Sequence, residues 1–155
     1  MKNETCHPCL CSSVRQLSRV LSQIYDDALR PCGLRATQFL ILMTLQGLCE
    51  ASLKDLEFRL DIEQSTLTRT MSRLETERLV SRVASEDQRE RRLCLTAKGT
   101  KLLEEAKPLW AEIQGEMQVR LGEKVWERFR KDLVKVRKAV LAKGQSTLSQ
   151  SCARA

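Results

Sequence analysis

The chain has 155 residues, of which 42% are hydrophobic, 30% charged and only 4% aromatic. This length suits one domain, or one small domain with helical extensions, and predicts a core of Leu, Val and Ile. No apolar run approaches the ~20 residues that a membrane span needs, and the N-terminus has no signal-peptide stretch, so we expect a cytoplasmic protein with no membrane partner.

The net charge of +7 is unevenly distributed. Residues 99–155 contain 12 Lys and Arg against 7 Asp and Glu, so most of the excess lies in the C-terminal third. A basic surface helix is usually only a solvated face. Charge alone is therefore weak evidence for nucleic-acid binding.

The first half of the chain predicts two helices. Residues 12–30 carry a narrow apolar stripe at spacings of three and four, typical of a coiled coil: Val14, Leu17, Leu21, Ile24 and Ala28. Pro31 and Gly33 end this helix. Thr37 is expected to cap a second, buried helix that continues to Leu48.

Two shorter helices follow. Ser52 caps the first, and Asp55 three residues later gives a near match to a capping box. After a tight turn at Asp61, residues 63–77 form the next helix, with Leu67, Met71 and Leu74 on one face. The opposite face is polar and contains no acidic residue: Gln64, Ser65, Thr68, Arg69, Ser72 and Arg73.

The C-terminal half predicts a β-hairpin and two long helices. Segments 79–83 and 92–96 alternate in polarity around a charged tip at 85–91. Helices at 97–118 and 122–143 follow, and 144–155 is expected to be a flexible tail. The last helix carries a second apolar stripe: Val125, Phe129, Leu133, Val136 and Val140.

Two short helices, a tight turn and a hairpin describe a winged helix–turn–helix. The second short helix is narrow enough to enter the major groove, where small hydrogen-bonding residues and Arg read base edges. Arg89 and Arg91 at the hairpin tip would reach the minor groove or phosphates. The alternative is an ordinary helical hairpin with a solvated polar face.

Residues 65–75 followed by 79–82 resemble the recognition helix of the MarR family, and 87–89 with 93–99 resemble its wing and the start of the next helix. The resemblance covers about residues 10–143. It implies a mainly α fold with a small β-hairpin wing, and a DNA-binding domain at 36–98. Segments 12–35 and 99–143 would be dimerisation helices of a homodimer that binds an inverted repeat in double-stranded DNA.

The resemblance also suggests residue roles. Arg89 would be the wing arginine, oriented by Asp87, while Arg73 and Arg82 would contact phosphates. The candidates for contacts with base edges are Gln64, Ser65, Thr66, Thr68 and Arg69. The family usually has Gly in place of Arg78 and Asp61, so a left-handed Arg78 would cost roughly 1 kcal/mol.

Seven cysteines is an odd count, which argues against a disulfide framework and leaves free thiols as the default. Cys6, Cys9 and Cys11 crowd the tail formed by residues 1–11, and could together bind a soft metal or metalloid. Cys11 also lies at a helix start, where the dipole favours a thiolate.

Two other interpretations of the cysteines stay open. The peroxide-sensing, OhrR-like branch of the family has a reactive cysteine at the place of Cys11 and a Tyr at the spacing of Tyr25, but a second Tyr where this chain has Arg15. Alternatively, the N-terminal thiols have no function, and the others are simply buried: Cys32, Cys49 and Cys94.

Together these patterns predict a repressor of the MarR type, released by a thiol-binding ion such as As(III) or Sb(III). No cofactor is required for DNA binding. Peroxide and aromatic acids are alternative effectors. An enzyme is not expected, because the sole histidine, His7, lies in the tail and no phosphate loop or nucleophile elbow is present. A small thiol enzyme is the alternative class.

Overall fold

A computed structural model describes residues 9–83 and 92–152, with side chains up to residue 142. The helices are α1 (Leu10–Leu29), α2 (Ala36–Leu48), α3 (Leu53–Leu60), α4 (Gln64–Thr76), α5 (Ala97–Leu121) and α6 (Glu123–Cys152). The strands are β1 (Glu50–Ser52), β2 (Val80–Val83) and β3 (Arg92–Leu95). The mainly α fold with a small sheet is confirmed. The chain forms two compact units, Met1–Ile113 and Gln114–Ala155.

The N-terminus of α2 differs from the sequence prediction. The cap position is Arg35, and Thr37 lies inside the helix, so Thr37 is not the cap. The Gln38 side-chain oxygen accepts a hydrogen bond from the Arg35 N–H at 2.9 Å, and Asp26 of α1 accepts one from the Ala36 N–H at 2.8 Å. These bonds satisfy donors that a helix start leaves unpaired. Asp26 of α1 therefore caps part of the α2 start, a role that was expected of Thr37.

The sheet contains a strand that the sequence did not predict. Its order is β1-β3-β2, with both pairs antiparallel. Strand β1 has three residues, too few for an alternating pattern to show. It pairs Glu50 with Cys94, and Glu50 also forms an ion pair with Arg92. The base of the wing is therefore joined to the α2–α3 connection.

The core of the first unit is aliphatic, as expected. Helix α2 contributes the most, and its Phe39 ring stacks on Trp110 of α5 with centroids 5.9 Å apart. The other fully buried large side chains are leucines and one isoleucine: Leu29, Ile41, Leu42, Leu45, Leu56, Leu67, Leu74, Leu79 and Leu103. Burial of each such side chain contributes about 1.5–3 kcal/mol.

The apolar stripe of α1 is incompletely covered within its own unit. Val14 and Leu17 are 48% and 40% exposed. On α6, in the second unit, Val125 and Val140 are 54% and 62% exposed. Exposed apolar stripes of this kind are typical of interfaces. The role of both segments in dimerisation stays a prediction.

The last two helices are longer than predicted. Gly122, with φ of +76°, separates α5 from α6 as expected. The backbone of α6 continues as helix to Cys152, so the prediction that the helix ends at residue 143 is wrong. One glycine at position 144 costs a helix about 1 kcal/mol, which is not enough to end it.

The start of α5 packs closely against the beginning of β2. The Thr96 hydroxyl donates to the Arg78 carbonyl at 2.7 Å and accepts from the Gly99 N–H at 3.0 Å. A Cβ added at Gly99 would lie 2.0 Å from the Leu79 carbonyl oxygen. Only glycine fits at this position without displacing the backbone of Leu79.

We therefore expect Gly99→Ala to lower the free energy of unfolding by about 2–4 kcal/mol, because the clash is with backbone. The control is Gly47→Ala in α2, where an added Cβ has no neighbour within 4 Å. That change should be neutral or stabilising by about 0.5–1 kcal/mol. Chemical denaturation at one protein concentration measures both. Equal stability of the two variants would contradict the close packing.

Candidate nucleic-acid interface

The capping box at the start of α3 is confirmed. The Ser52 hydroxyl accepts from the Asp55 N–H at 3.2 Å, and the Asp55 carboxylate accepts from the Ser52 N–H at 2.9 Å. Hydrogen bonds from the Ser52 N–H and hydroxyl hold the pKa of the Asp55 carboxyl below its usual value. The box fixes where α3 begins, and thereby where the turn into α4 lies.

The turn between α3 and α4 requires a left-handed residue. Asp61 occupies that conformation, with φ of +49°, in place of the glycine usual in the family. Asp tolerates it better than most residues. Helix α4 then buries Leu67, Met71 and Leu74, each at most 4% exposed. This apolar face anchors the helix, and the opposite, polar face of α4 is left exposed to solvent.

The outward face of α4 is exposed, as the sequence predicts. It consists of the five candidates for base contacts together with two further residues: Gln64, Ser65, Thr66, Thr68, Arg69, Ser72 and Arg73. The cap position of α4 is Glu63, and the Ser65 hydroxyl donates to the Glu63 carboxylate, which lowers the pKa of Glu63. Ser65 is therefore not the helix cap.

The C-terminal end of α4 is a Schellman motif. Leu79 N–H donates to the Leu74 carbonyl and Arg78 N–H to the Glu75 carbonyl, both at 2.9 Å. Arg78 is left-handed, with φ of +58°, which confirms the strained position expected from the missing glycine. Lys98 Nζ adds a hydrogen bond to the Glu77 carbonyl at 2.9 Å.

Both arginines expected at phosphates are engaged by carboxylates. Arg82 Nε and Nη2 donate to the two oxygens of Glu75 at 2.7 and 3.0 Å, a bidentate pair that raises the pKa of the guanidinium. Arg73 Nε donates to Glu77 at 2.9 Å. Such exposed pairs contribute little to stability, so a phosphate can compete for each arginine.

The remaining wing candidates lie outside the described residues. These are Asp87, Arg89 and Arg91. The strands on either side of them pair from Val80 with Leu95 to Val83 with Arg92. Their assignment to the wing therefore stays a prediction.

A group of polar residues that the sequence analysis missed lies beside α4. Arg35, Thr37 and Gln38 of the α2 start line a cavity of about 350 Å³ together with Thr66 and Arg73 of α4. The signal in the sequence is a basic and hydroxyl-bearing helix start, a pattern that by itself predicts only a cap. Its position next to α4 depends on tertiary packing and could not be predicted from spacing.

Two of the N-terminal thiols, Cys9 and Cys11, lie at one end of α1. Cys9 is the cap residue of α1, Cys11 lies in its first turn, and both are exposed. Cys6 lies outside the described residues. In the part of the chain that the structure describes, no three potential metal ligands come together.

Tyr25 is too far from Cys11 for contact within one chain. Both residues belong to the single helix α1. Fourteen residues of α-helix span about 21 Å. Burial raises the pKa of the half-buried Tyr25 hydroxyl. Any contact between Cys11 and Tyr25 would have to form between the two chains of a dimer.

The other described thiols differ from the expectation that they are buried. Cys49 is exposed and has φ of +63°, whereas Cys32 and Cys94 are half-buried. Burial, with a smaller effect of Glu105, raises the pKa of the Cys32 thiol. The Cys94 sulfur lies 3.4 Å from the Ser81 hydroxyl in the sheet.

Comparison with known proteins defines the class of the fold. A family model described as a winged helix DNA-binding domain matches residues 34–99. The chain is 32% identical over 96 residues to the uncharacterized HTH-type transcriptional regulator YwoH of Bacillus subtilis, covering 62% of this chain and 70% of that protein. Among the described residues, none of the helices is long and apolar enough to cross a membrane.

Solved structures agree with this class. The M. tuberculosis transcriptional regulator MosR in complex with DNA is 37% identical, with a TM-score of 0.78 over 86% of this chain and 97% of that one. A cysteine mutant of E. coli MarR complexed with operator DNA is 22% identical and shares the fold, with a TM-score of 0.76 over 82% and 92% of the chains.

The fold and the site define a winged helix–turn–helix transcriptional regulator. More specifically, the chain belongs to the MarR family of DNA-binding regulators. Its partners are accordingly double-stranded DNA and a second copy of the chain.

We expect Asp55→Asn to lower the free energy of unfolding by about 0.5–1 kcal/mol at pH 7, since the charged carboxylate makes the better cap. The pKa of the Asp55 carboxyl is depressed in the folded state, so this stabilisation is present above the unfolded pKa of about 4 and is lost as the pH falls through the lower folded value. Urea unfolding from pH 7 to 3 measures the difference between variant and wild type.

The difference should stay constant from pH 7 to 5 and shrink below about pH 4. Glu57→Gln, which removes a carboxylate from α3 outside the capping box, is the control and should lower the free energy of unfolding at pH 7 by less than Asp55→Asn does. A difference for Asp55→Asn that persists unchanged to pH 3 would contradict the role of its charge.

Proposed function

We propose that the protein is a repressor that binds an inverted-repeat operator through α4 of each protomer and is released when a soft metal or metalloid ion binds its N-terminal thiols. The observation that supports operator recognition is the outward face of α4. It presents hydroxyls, an amide and two arginines without a carboxylate, while its opposite face is buried. We assign the protein no enzymatic reaction.

Residue types on α4 suit the two kinds of DNA contact. Arg69 and Thr66 lie within the exposed face and are suited to base edges, since Arg binds guanine in a bidentate manner and Thr contacts the thymine methyl group. Arg73 and Arg82, already paired with carboxylates, are suited to the phosphates on either side. Arg89 and Arg91 are proposed to extend the same contact from the wing.

The proposed sensor consists of Cys6, Cys9 and Cys11. Three thiolates are the donor set that As(III) and Sb(III) prefer, and exposure of Cys9 and Cys11 makes them accessible to an ion. To release DNA, the ion must favour the non-binding state by several kcal/mol. Coordination by thiolates supplies energies of that size, and a surface ion pair does not.

Helix α1 offers a route from these thiols to the DNA-binding elements. Cys11 lies in its first turn, and Asp26, about 22 Å further along, bonds to the N-terminus of α2. A shift of α1 would therefore move the attachment of α2, against which the rest of the first unit packs. Peroxide oxidation of the same thiols is the second candidate signal, favoured by two exposed cysteines two residues apart.

For recognition, we expect Arg69→Ala and Thr66→Ala to change the preferred operator sequence as well as lowering affinity, because each good base contact is worth ~1–3 kcal/mol. Selection from a random DNA pool measures the preference. Arg82→Ala is the control, which should weaken binding to all sequences alike. Recovery of the wild-type operator by both α4 variants would reassign these residues to backbone contacts.

For sensing, we expect Cys11→Ser to bind operator as wild type does under reducing conditions and to remain bound in arsenite or antimonite. Cys49→Ser, which removes an exposed thiol outside α1, should respond as wild type. Titration of labelled operator with each ion, and separately with peroxide, measures the release. If Cys11→Ser is released at wild-type concentrations, the sensor lies elsewhere; selective loss of the peroxide response would favour oxidation.

A further inference from the structure

A cavity of about 350 Å³ lies between the first turn of α2 and one flank of α4. Its lining includes Arg35, Thr37 and Gln38 from α2 and Thr66, Arg69 and Arg73 from α4. Every one of these side chains carries hydrogen-bond donors, and three are guanidinium groups. The chemistry of the lining therefore favours an oxyanion.

The buried member of this lining has a donor without a partner. Gln38 is 4% exposed, and its side-chain nitrogen has no hydrogen-bond partner among the described residues. Its side-chain oxygen accepts from the Arg35 N–H at 2.9 Å, which fixes the nitrogen as the donor that remains. A buried donor is rarely left unpaired, and here it lines a cavity next to the DNA-facing helix.

The side chains at the α2 start are held in place from α1. Asp26 accepts from Arg35 Nη1 and from the Ala36 N–H, both at 2.8 Å. Arg35 is nevertheless 72% exposed, so its guanidinium can bind a further anion at its open side. Because Asp26 already accepts from the Ala36 N–H, the donors proposed for a further anion are the side chains.

The cavity lies where a DNA backbone would pass. At about 100° per residue, Thr66, Thr70 and Arg73 share the flank of α4 between its buried face and the exposed Arg69. A recognition helix in the major groove has a phosphate backbone along each side. We propose that one backbone phosphate beside the major groove is bound by Arg35, Thr37 and Gln38, with Arg73. This inference rests on the proposed function of α4.

The proposal makes α2 a second DNA-contacting element besides α4 and the wing. It also assigns Asp26 as a positioning residue for the phosphate site. Since Asp26 belongs to α1, the helix that carries Cys9 and Cys11, a shift of α1 would disturb this phosphate contact directly. Phosphate affinity and the thiol signal would then be coupled through one carboxylate.

The test uses the full-length dimer and DNA selected by the wild-type protein. Single phosphates of this DNA are replaced in turn by neutral methylphosphonates, and affinity is measured for wild type, Arg35→Gln and Thr37→Val. Arg120→Gln, an exposed ion-paired arginine on α5, is the matched control. Thr37→Val keeps the shape of the side chain, so the proposal can still be tested with this variant if Arg35→Gln proves unstable.

We expect one methylphosphonate per half-site to weaken wild-type binding about tenfold. Methylphosphonate at that position should weaken binding by the Arg35 and Thr37 variants much less. Arg35→Gln should also reduce the slope of log affinity against log salt concentration by about one unit, on selected and random DNA alike. Arg120→Gln should behave as wild type. A merely structural role of Arg35 would lower affinity equally at every phosphate.

Three results would overturn the proposal. The first is the same methylphosphonate profile in wild type and both variants, while Arg69→Ala still loses binding; this leaves the function of α4 intact. The second is an unchanged methylphosphonate profile in the variants, although millimolar inorganic phosphate raises the melting temperature of the wild type and not that of Arg35→Gln. The third is failure of the wild type to select DNA, which would remove the proposed function as well.

Discussion

The end of α4 is the point on which the DNA-binding unit depends. Leu74 and Leu79 are both buried and are joined by a main-chain hydrogen bond, which the left-handed conformation of the intervening Arg78 makes possible. Thr96 bonds to the Arg78 carbonyl, and Gly99 brings the α5 backbone against Leu79. One small region thereby sets the direction of the recognition helix, the start of the wing and the start of α5. The strain at Arg78 persists because these contacts determine its conformation.

A second junction of the same unit lies between α1 and α2. Asp26 links α1 to the first turn of α2 through one ion pair and one backbone hydrogen bond. Its energy is modest, because Arg35 is mostly exposed. Its importance is geometric, since it joins α1, which has Cys9 and Cys11 at its start, to α2, which lines a cavity together with the flank of α4. A weak junction suits a switch, because small differential energies can shift its population.

Local patterns predicted what depends on local physics. The 3.6-residue period placed Leu67, Met71 and Leu74 on the buried face of α4, and the spacing of Ser52 and Asp55 predicted the cap of α3 correctly. Long-range contacts were not predictable in this way. The bidentate pair of Arg82 with Glu75, the capping of α2 by Asp26 and the pairing of β1 with β3 all join residues that are separate in sequence.

The charged residues around α4 are distributed unevenly between its ends and its centre. Acidic residues occur only at its ends, where Glu75 and Glu77 pair with Arg82 and Arg73 and Glu63 accepts from Ser65. Placed there, they orient the flanking arginines and leave the centre of the helix free of carboxylates. Uncompensated arginines at every position would raise affinity for any sequence. Under the proposed function, carboxylates at the ends would lower non-specific DNA affinity and leave the exposed centre, around Arg69, to discriminate between operators.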